Sequence, residues 1–313
     1  MAETRDKPVL LITGAGGMAG KNLMAHPDIG MWQCLTPTSR DLDLRDKRAV
    51  SAYLEDTRPD AVVHCAGVVG GIQANMAEPM RFLAANSEMG INIVQGCVDA
   101  GISTLINLAS SCMYPKALGH GLSEDKILSG ALEPTNEGYA IAKVVTMRMC
   151  EFAMRENPDL NYKTLIPCNL YGKWDKFDPK HSHLVPAIIH KVHEAMRTGA
   201  SQIEVWGDGT ARREFMYAGD LADAIVRALS VPAALPDSLN IGLGHDHTIN
   251  EYYQIVAQVI GWQGEFIHDL SRPVGMKQKL LDVSQQNEWG WSPRTSLEDG
   301  IRATYEFYLK EEK

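Results

Sequence analysis

The sequence predicts an α/β chain built on a doubly wound parallel sheet, and three observations carry that prediction. The first is a short apolar run, Val9-Leu10-Leu11-Ile12, that ends in Thr13-Gly14. An unbroken apolar run bounded by glycine is the pattern of a strand buried on both faces. The second is a pair of further runs of the same kind, at 61–66 and 104–109. The third is the helical texture between them, around 48–58 and over 77–100. Strands alternating with helices build parallel sheets, because a parallel crossover needs a connection of about a dozen residues or more.

Later elements follow the same logic. Gln33-Cys34-Leu35 reads as the second strand. Past Asn169-Leu170-Tyr171-Gly172 the texture changes, and 174–183, rich in Lys, Asp, Pro and His, reads as a functional loop. A helix is expected over 186–198, a strand and turn over 204–209, and a helix over 221–229. Residues 239–242 read as a strand returning to the main sheet.

Composition narrows the class. A length of 313 residues allows one large α/β domain or a main domain with a smaller lobe. Hydrophobic residues at 45% and charged residues at 22% exclude wholesale disorder. A net charge of −9 excludes a global basic field for nucleic acid or an anionic membrane. No apolar run nears the roughly 20 residues that a bilayer span needs. Residues 1–9 are polar and mixed in charge, unlike a signal peptide. The six cysteines, Cys34, Cys65, Cys97, Cys112, Cys150 and Cys168, form no CxxC pair. Reduced thiols, a cytoplasmic setting and no metal are the expectation.

Chemistry enters at Gly14-x-x-Gly17-x-x-Gly20, placed at the junction of the first strand and the helix starting near Met18. Glycines there permit a tight turn and let a pyrophosphate approach the backbone and the helix N-terminus. The expected division is therefore a dinucleotide-binding domain over 1–172, with a returning segment near 239–262. Residues 173–313 would form mostly a substrate-binding lobe interleaved with it. No acid stands directly after the second strand to take a ribose 2′-hydroxyl. Arg40 with Ser39 suits a 2′-phosphate, which points to NADP; the alternative is that Arg40 is a solvated surface residue. Asp43 and Leu44, slightly further on, stand where an adenine would be bordered.

The strongest local pattern is Tyr139-Ala-Ile-Ala-Lys143. Residues four apart share one helix face. A lysine ammonium beside a phenol favours the phenolate, so the pair predicts a tyrosine whose pKa is lowered toward neutrality and which exchanges a proton with substrate. Ser110-Ser111-Cys112, just after the third apolar strand, offers hydroxyls for the same carbonyl oxygen.

Together, TGxxGxxG, the serine and YxxxK resemble the extended short-chain dehydrogenase/reductases, a Rossmann-type fold. The resemblance is closer to the GDP-L-fucose synthase family, the GDP-4-keto-6-deoxy-D-mannose 3,5-epimerase/4-reductases. It is carried by Val69-Gly70-Gly71-Ile72, Ser110-Ser111-Cys112-Met113-Tyr114-Pro115, Leu132-Glu133-Pro134-Thr135-Asn136-Glu137-Gly138-Tyr139-Ala140-Ile141-Ala142-Lys143, Asn169-Leu170-Tyr171-Gly172, Ser182-His183, Val205-Trp206-Gly207-Asp208-Gly209, Arg213-Glu214-Phe215 and Lys279-Leu280-Leu281-Asp282-Val283. These segments run in order from near the N-terminus to about 283.

The resemblance implies roles. Cys112 and His183 would be the acid and base of epimerisation, and Tyr139, Lys143 and Ser110 would serve reduction at C4. The cofactor, NADP(H), would lie on Gly14, Gly17, Met18, Gly20, Arg40, Asp43, Leu44, Ala66, Leu108, Ser110, Lys143, Pro167, Asn169, Leu170 and His183. Lys191, Trp206, Arg213 and Lys279 would hold a GDP-4-keto sugar, although packing inside the core is an equal expectation for Trp206. Relatives pair as homodimers through two helices, here about 77–100 and 138–157.

Four departures stand out. Gly16 replaces an arginine of the glycine loop, Val68 a lysine, Lys191 an arginine, and Val274 an acid. Dehydratase relatives carry an Asp-Glu pair where this chain has Ser111-Cys112, which points away from dehydration.

Overall fold

The computed structural model describes residues 6–178, 182–272 and 276–311; Val274 lies outside the described residues. The chain opens with β1 (Val9–Thr13), α1 (Met18–Met24), β2 (Gln33–Leu35), α2 (Lys47–Thr57) and β3 (Ala61–His64). Then come α3 (Ile72–Ala77), α4 (Pro79–Asp99), β4 (Thr104–Leu108), α5 (Glu137–Glu156), β5 (Asn161–Pro167) and β6 (Asn169–Tyr171). The remainder is α6 (Leu184–Thr198), β7 (Gln202–Trp206), β8 (Arg212–Arg213), β9 (Phe215–Tyr217), α7 (Ala218–Ser230), β10 (Ser238–Ile241), β11 (His247–Thr248), α8 (Ile249–Ile260), β12 (Glu265–Asp269), α9 (Ser284–Glu288) and α10 (Leu297–Glu311).

Six strands form one sheet in the order β10-β5-β4-β3-β1-β2, every pair parallel. Side chains alternate across it, as strand geometry requires. Leu10, Ile12, Val63 and Ile106 face one core with α1 and α7. Leu11, Val62 and Leu105 face the other core with α2 and α4. Helices thus cover both faces, which is why the strands read as unbroken apolar runs. A third core joins α6, α8, α10 and β7 around Val185, Ile189, Tyr252 and Ile301. The run at 239–242 returns as expected, with Ile241 paired to Pro167 at the carboxyl end of β5.

The helix expected over 77–100 is found as α4, Pro79–Asp99, and a short helix not expected from the sequence, α3, precedes it and ends at Glu78. Pro79 has no N–H to continue α3 and pushes the preceding residue out of helical conformation, so Glu78 adopts φ −131°, ψ 49° and α4 starts afresh at the proline.

Candidate active site

Sheet order places the site. The chain leaves β1 for β2 on one side and returns to β3 on the other, so the sheet has its switch point between β1 and β3. Open α/β sheets bind ligands in the crevice beyond the strand carboxyl ends at such a point. Gly14 turns there at φ +73°, and a Cβ on it would lie 2.6 Å from the Ala66 backbone that leaves β3. A Cβ on Gly20 would lie 2.5 Å from the Gly14 carbonyl oxygen. Only glycine lets the β1 turn, the start of α1 and the β3 exit close together this tightly. The Gly17 N–H donates to the Gly14 carbonyl at 3.0 Å, and Met18 begins α1. This low-walled turn at a helix start fits a dinucleotide pyrophosphate. Below it, Thr13 Oγ1 and His64 Nδ1 meet at 2.8 Å, and burial lowers the imidazole pKa to about 3, with Lys143 adding to the effect.

Beyond β2 the expected adenosine residues are separate. The Arg40 side chain is exposed and enters no ion pair among the described residues. Asp43 is engaged by Arg45 at 2.7 Å, and that hydrogen bond holds its carboxyl down to about 2. Leu44 is buried, its carbonyl accepting the Asn92 amide at 2.9 Å.

The reactive cluster is carried by the carboxyl end of β4 and the first turns of α5. Ser110 ends the β4 exit, and its Oγ accepts the Cys112 N–H at 3.3 Å, fixing a single helical turn over 111–113. Lys143 lies one turn after Tyr139, with Nζ 5.7 Å from the phenol ring centroid. Its ammonium donates to the Leu108 carbonyl at 2.8 Å, and burial lowers its pKa to about 8. The expected lowering of the Tyr139 pKa is not what the geometry produces. Burial first, and then Cys112, push that phenol well above its ordinary value. Burial of the phenol outweighs the cation one turn away, whose hydrogen bond goes to the Leu108 carbonyl.

Cys112 opens into a small cavity of about 50 Å³, shared with Glu133, Asn136, Met276 and Lys279. The Asn136 amide donates to the Cys112 sulfur at 3.2 Å. Glu133 and Asn136 carry no assigned role in the sequence reading. Their signal was the segment 132–143 itself, in which only Tyr139 and Lys143 stand at a recognisable chemical spacing. A larger open hollow of about 320 Å³ lies at the amino-terminal edge of the strands, by Glu55, Arg58, Asp60 and Ser103, far from this chemistry.

His183 is the residue preceding α6 and is exposed. Its imidazole makes no hydrogen bond to Cys112 or Tyr139 among the described residues. The surrounding protein and then Lys176 push its pKa down. Pro167 ends β5, while Asn169 and Leu170 lie on β6, paired with β9; the Asn169 amide donates to the Glu214 carbonyl at 3.0 Å.

The lobe residues gather elsewhere. Trp206 is 51% exposed, so it is not a core residue. Its indole N–H donates to Glu204 at 2.9 Å. Lys191 Nζ stands 5.9 Å from its ring centroid, and Arg272, to which the sequence assigned no site role, stands 5.0 Å away. Arg213 lies on β8, partly buried, its partner across the ladder being His247. Among the described residues there is no group of three His, Cys, Asp or Glu placed to hold a metal ion. No described helix is long and apolar enough to cross a membrane.

Comparison with known proteins agrees with this geometry. The NAD dependent epimerase/dehydratase family matches residues 10–242. The chain is 53% identical over 300 residues to the GDP-L-fucose synthase of Azorhizobium caulinodans, covering 96% of each chain. It is 50% identical over 302 residues to the GDP-L-colitose synthase of Yersinia pseudotuberculosis, covering 96% of this chain and 98% of that one. Among solved structures, the GDP-mannoheptose C4 reductase of Campylobacter jejuni with NADP bound superposes with a TM-score of 0.89 at 26% identity, over 98% of this chain and 100% of that one. The chain thus belongs to the NAD dependent epimerase/dehydratase family and, within it, to the NADP-dependent epimerase/reductases typified by GDP-L-fucose synthase.

Proposed function

We propose that the protein catalyses 3,5-epimerisation and NADPH-dependent 4-reduction of GDP-4-keto-6-deoxy-D-mannose, giving GDP-L-fucose. The observation that carries this is that Cys112, which lines the small cavity, is close enough to Tyr139 to raise its phenol pKa, while Lys143 stands 5.7 Å from the same ring, so a thiol and a tyrosine suited to the two halves of the reaction are neighbours.

The C4 ketone acidifies the protons on C3 and C5. Cys112 takes or returns a proton on one face of the ring, and His183 serves the other. A thiol and an imidazole exchange protons near neutral pH more readily than the alcohols that could replace them. Ser110 donates a hydrogen bond to the ketone oxygen, and Tyr139 hands that oxygen its proton as C4 is reduced. A phenol held well above its ordinary pKa is fully protonated at neutral pH, which suits this donor role. NADPH, when bound, supplies the hydride. Gly14, Gly17, Met18 and Gly20 hold its pyrophosphate; Ala66, Leu108, Pro167, Asn169, Leu170 and His183 line it, and Ser110 and Lys143 face its nicotinamide end. Asp43 and Leu44 border the adenine, and Arg40 reads the 2′-phosphate in place of an arginine at Gly16. Trp206, Lys191 and Arg213 hold the nucleotide diphosphate, and Lys279 borders the sugar.

The 50% identity to a GDP-L-colitose synthase favours a second reading, in which the sugar is another GDP-4-keto deoxyhexose or deoxyheptose. The exposed Met80, Ile91 and Val98 of α4, with Ile141 and Phe152 of α5, support a homodimer through these helices. The setting would be cytoplasmic. Incubating the enzyme with NADPH and GDP-4-keto-6-deoxy-D-mannose, then identifying the product by NMR, tests the assignment. GDP-L-fucose is expected; no turnover, alongside turnover of another GDP-4-keto sugar, would move the assignment to the second reading.

A further inference from the structure

We infer that Asn136 is a positioning residue for the Cys112 sulfur, directing its lone pair into the cavity and favouring the thiolate. The inference rests on the proton-transfer role proposed above for Cys112.

Three observations carry it. First, the Asn136 side-chain amide donates to Cys112 Sγ at 3.2 Å, with sulfur as the acceptor. A hydrogen bond donated to a titrating group favours its charged form. Second, asparagine at the residue before a helix ordinarily turns its side chain onto the free N–H groups of the first turn. Asn136 stands at that position of α5 and makes no such bond. Its local preference is given up for the contact with sulfur, and such exceptions cluster at functional sites. Third, Asn136 Oδ1 is buried and without a partner. An unmade buried hydrogen bond is unfavourable, so satisfaction of its own oxygen does not explain the amide orientation. What remains is the bond to Cys112 and the cavity both residues line.

The charged and titratable groups around this sulfur come from every neighbouring segment. Tyr139 faces it from α5, and the phenol pKa is raised in part by Cys112. Glu133 and Lys279 face it across the cavity, and Tyr114 follows along the chain. Glu133 opposes a thiolate and Lys279 favours one, leaving the Asn136 amide as the one neutral donor aimed at the sulfur among the described residues.

The test is the pH dependence of Cys112 alkylation by iodoacetamide in the full-length enzyme, located by peptide mass spectrometry. It needs neither substrate nor turnover. Asn136→Ala should slow alkylation at pH 7 by about tenfold and move its profile to higher pH. Asn136→Asp should move it further, because it removes the donor and adds a negative charge. Aspartate also suits the start of a helix, so this variant keeps α5 intact if alanine does not. Solvent deuterium exchange at C3 and C5 of the 4-keto sugar should fall in both variants and recover as pH rises. A structural defect alone would lower the rate without moving its pH dependence. An alkylation profile that stays in place, or moves to lower pH, overturns the inference. A moved profile with undiminished deuterium exchange in Cys112→Ser sustains the Asn136 contact and instead removes Cys112 from epimerisation.

Discussion

Glu214 accepts the backbone N–H of Leu243 at 2.6 Å from within the protein, only 1% exposed. The same carboxylate accepts Gly244 at 3.0 Å and, through its second oxygen, Leu281 at 3.1 Å. One side chain next to Arg213 thereby ties the exit of β10 to the segment bearing Lys279. Burial outweighs these donors and pushes its pKa up to about 7.

That raised value makes stability depend on pH. Between the ordinary glutamate value of 4.5 and about 7, the native chain binds more protons at Glu214 than the unfolded chain does. Stability therefore falls as pH rises through this window. The loss attributable to Glu214 is on the order of 2–3 kcal/mol between pH 4.5 and 8. Urea unfolding of wild type and Glu214→Gln across that range checks it. The gap between them should shift against wild type as pH rises, and a constant gap would remove the linkage.

Tyr139→Phe removes the proton donor while leaving the ring in place. Turnover in the reduction should fall by about 10² to 10⁴, with NADPH binding retained. Oxidation of NADPH at the wild-type rate would exclude Tyr139 as the donor.

Lys143, with its pKa lowered to about 8, loses its charge just above neutrality. The reduction rate should decline on the alkaline side with an apparent pKa near that value. In Lys143→Arg the guanidinium stays charged, so whatever activity remains should lack this limb. Steady-state rates of both proteins from pH 6 to 10 decide the point; identical alkaline limbs would assign the decline to another group.

Arg40→Ala should raise KM for NADPH far more than for NADH, since only the former carries a 2′-phosphate. The guanidinium is exposed and enters no ion pair among the described residues, so the fold is indifferent to the change. Equal effects on the two cofactors would leave Arg40 a surface residue.

Cys112→Ser keeps the side-chain shape and raises the pKa of the acid. In D₂O with the 4-keto sugar, washing of deuterium into C3 and C5 should nearly stop, while some unepimerised ketone is still reduced at C4 when NADPH is present. NMR of the ring protons follows both events. Exchange as fast as in wild type would make Cys112 a packing residue.

Much of this was legible along the chain because the signals are local. Apolar runs ending in glycine mark buried parallel strands wherever they fall, so β1, β3, β4 and the returning β10 stand where the pattern put them. The Gly14–Gly20 turn is equally local, since strand, glycine spacing and helix start lie within a dozen residues. The 77–100 segment likewise folds as the one helix α4, and its start is set locally by Pro79 and the missing N–H there.

What only the tertiary structure decided depends on groups far apart in sequence sharing one low-dielectric space. Tyr139 and Lys143 are four residues apart, and that spacing by itself suggested a lowered phenol pKa. The fold buries both, and burial together with Cys112 raises the phenol instead, while the ammonium donates to Leu108, 35 residues away. The indole of Trp206 had no sequence sign of its exposure, nor of Arg272 lying 5.0 Å from its ring. Asn136 and Cys112, 24 residues apart, meet only because the β4 exit and the start of α5 close over one cavity. Periodicity and turn chemistry report what each segment does to itself; desolvation and hydrogen-bond choice depend on the neighbours that folding brings.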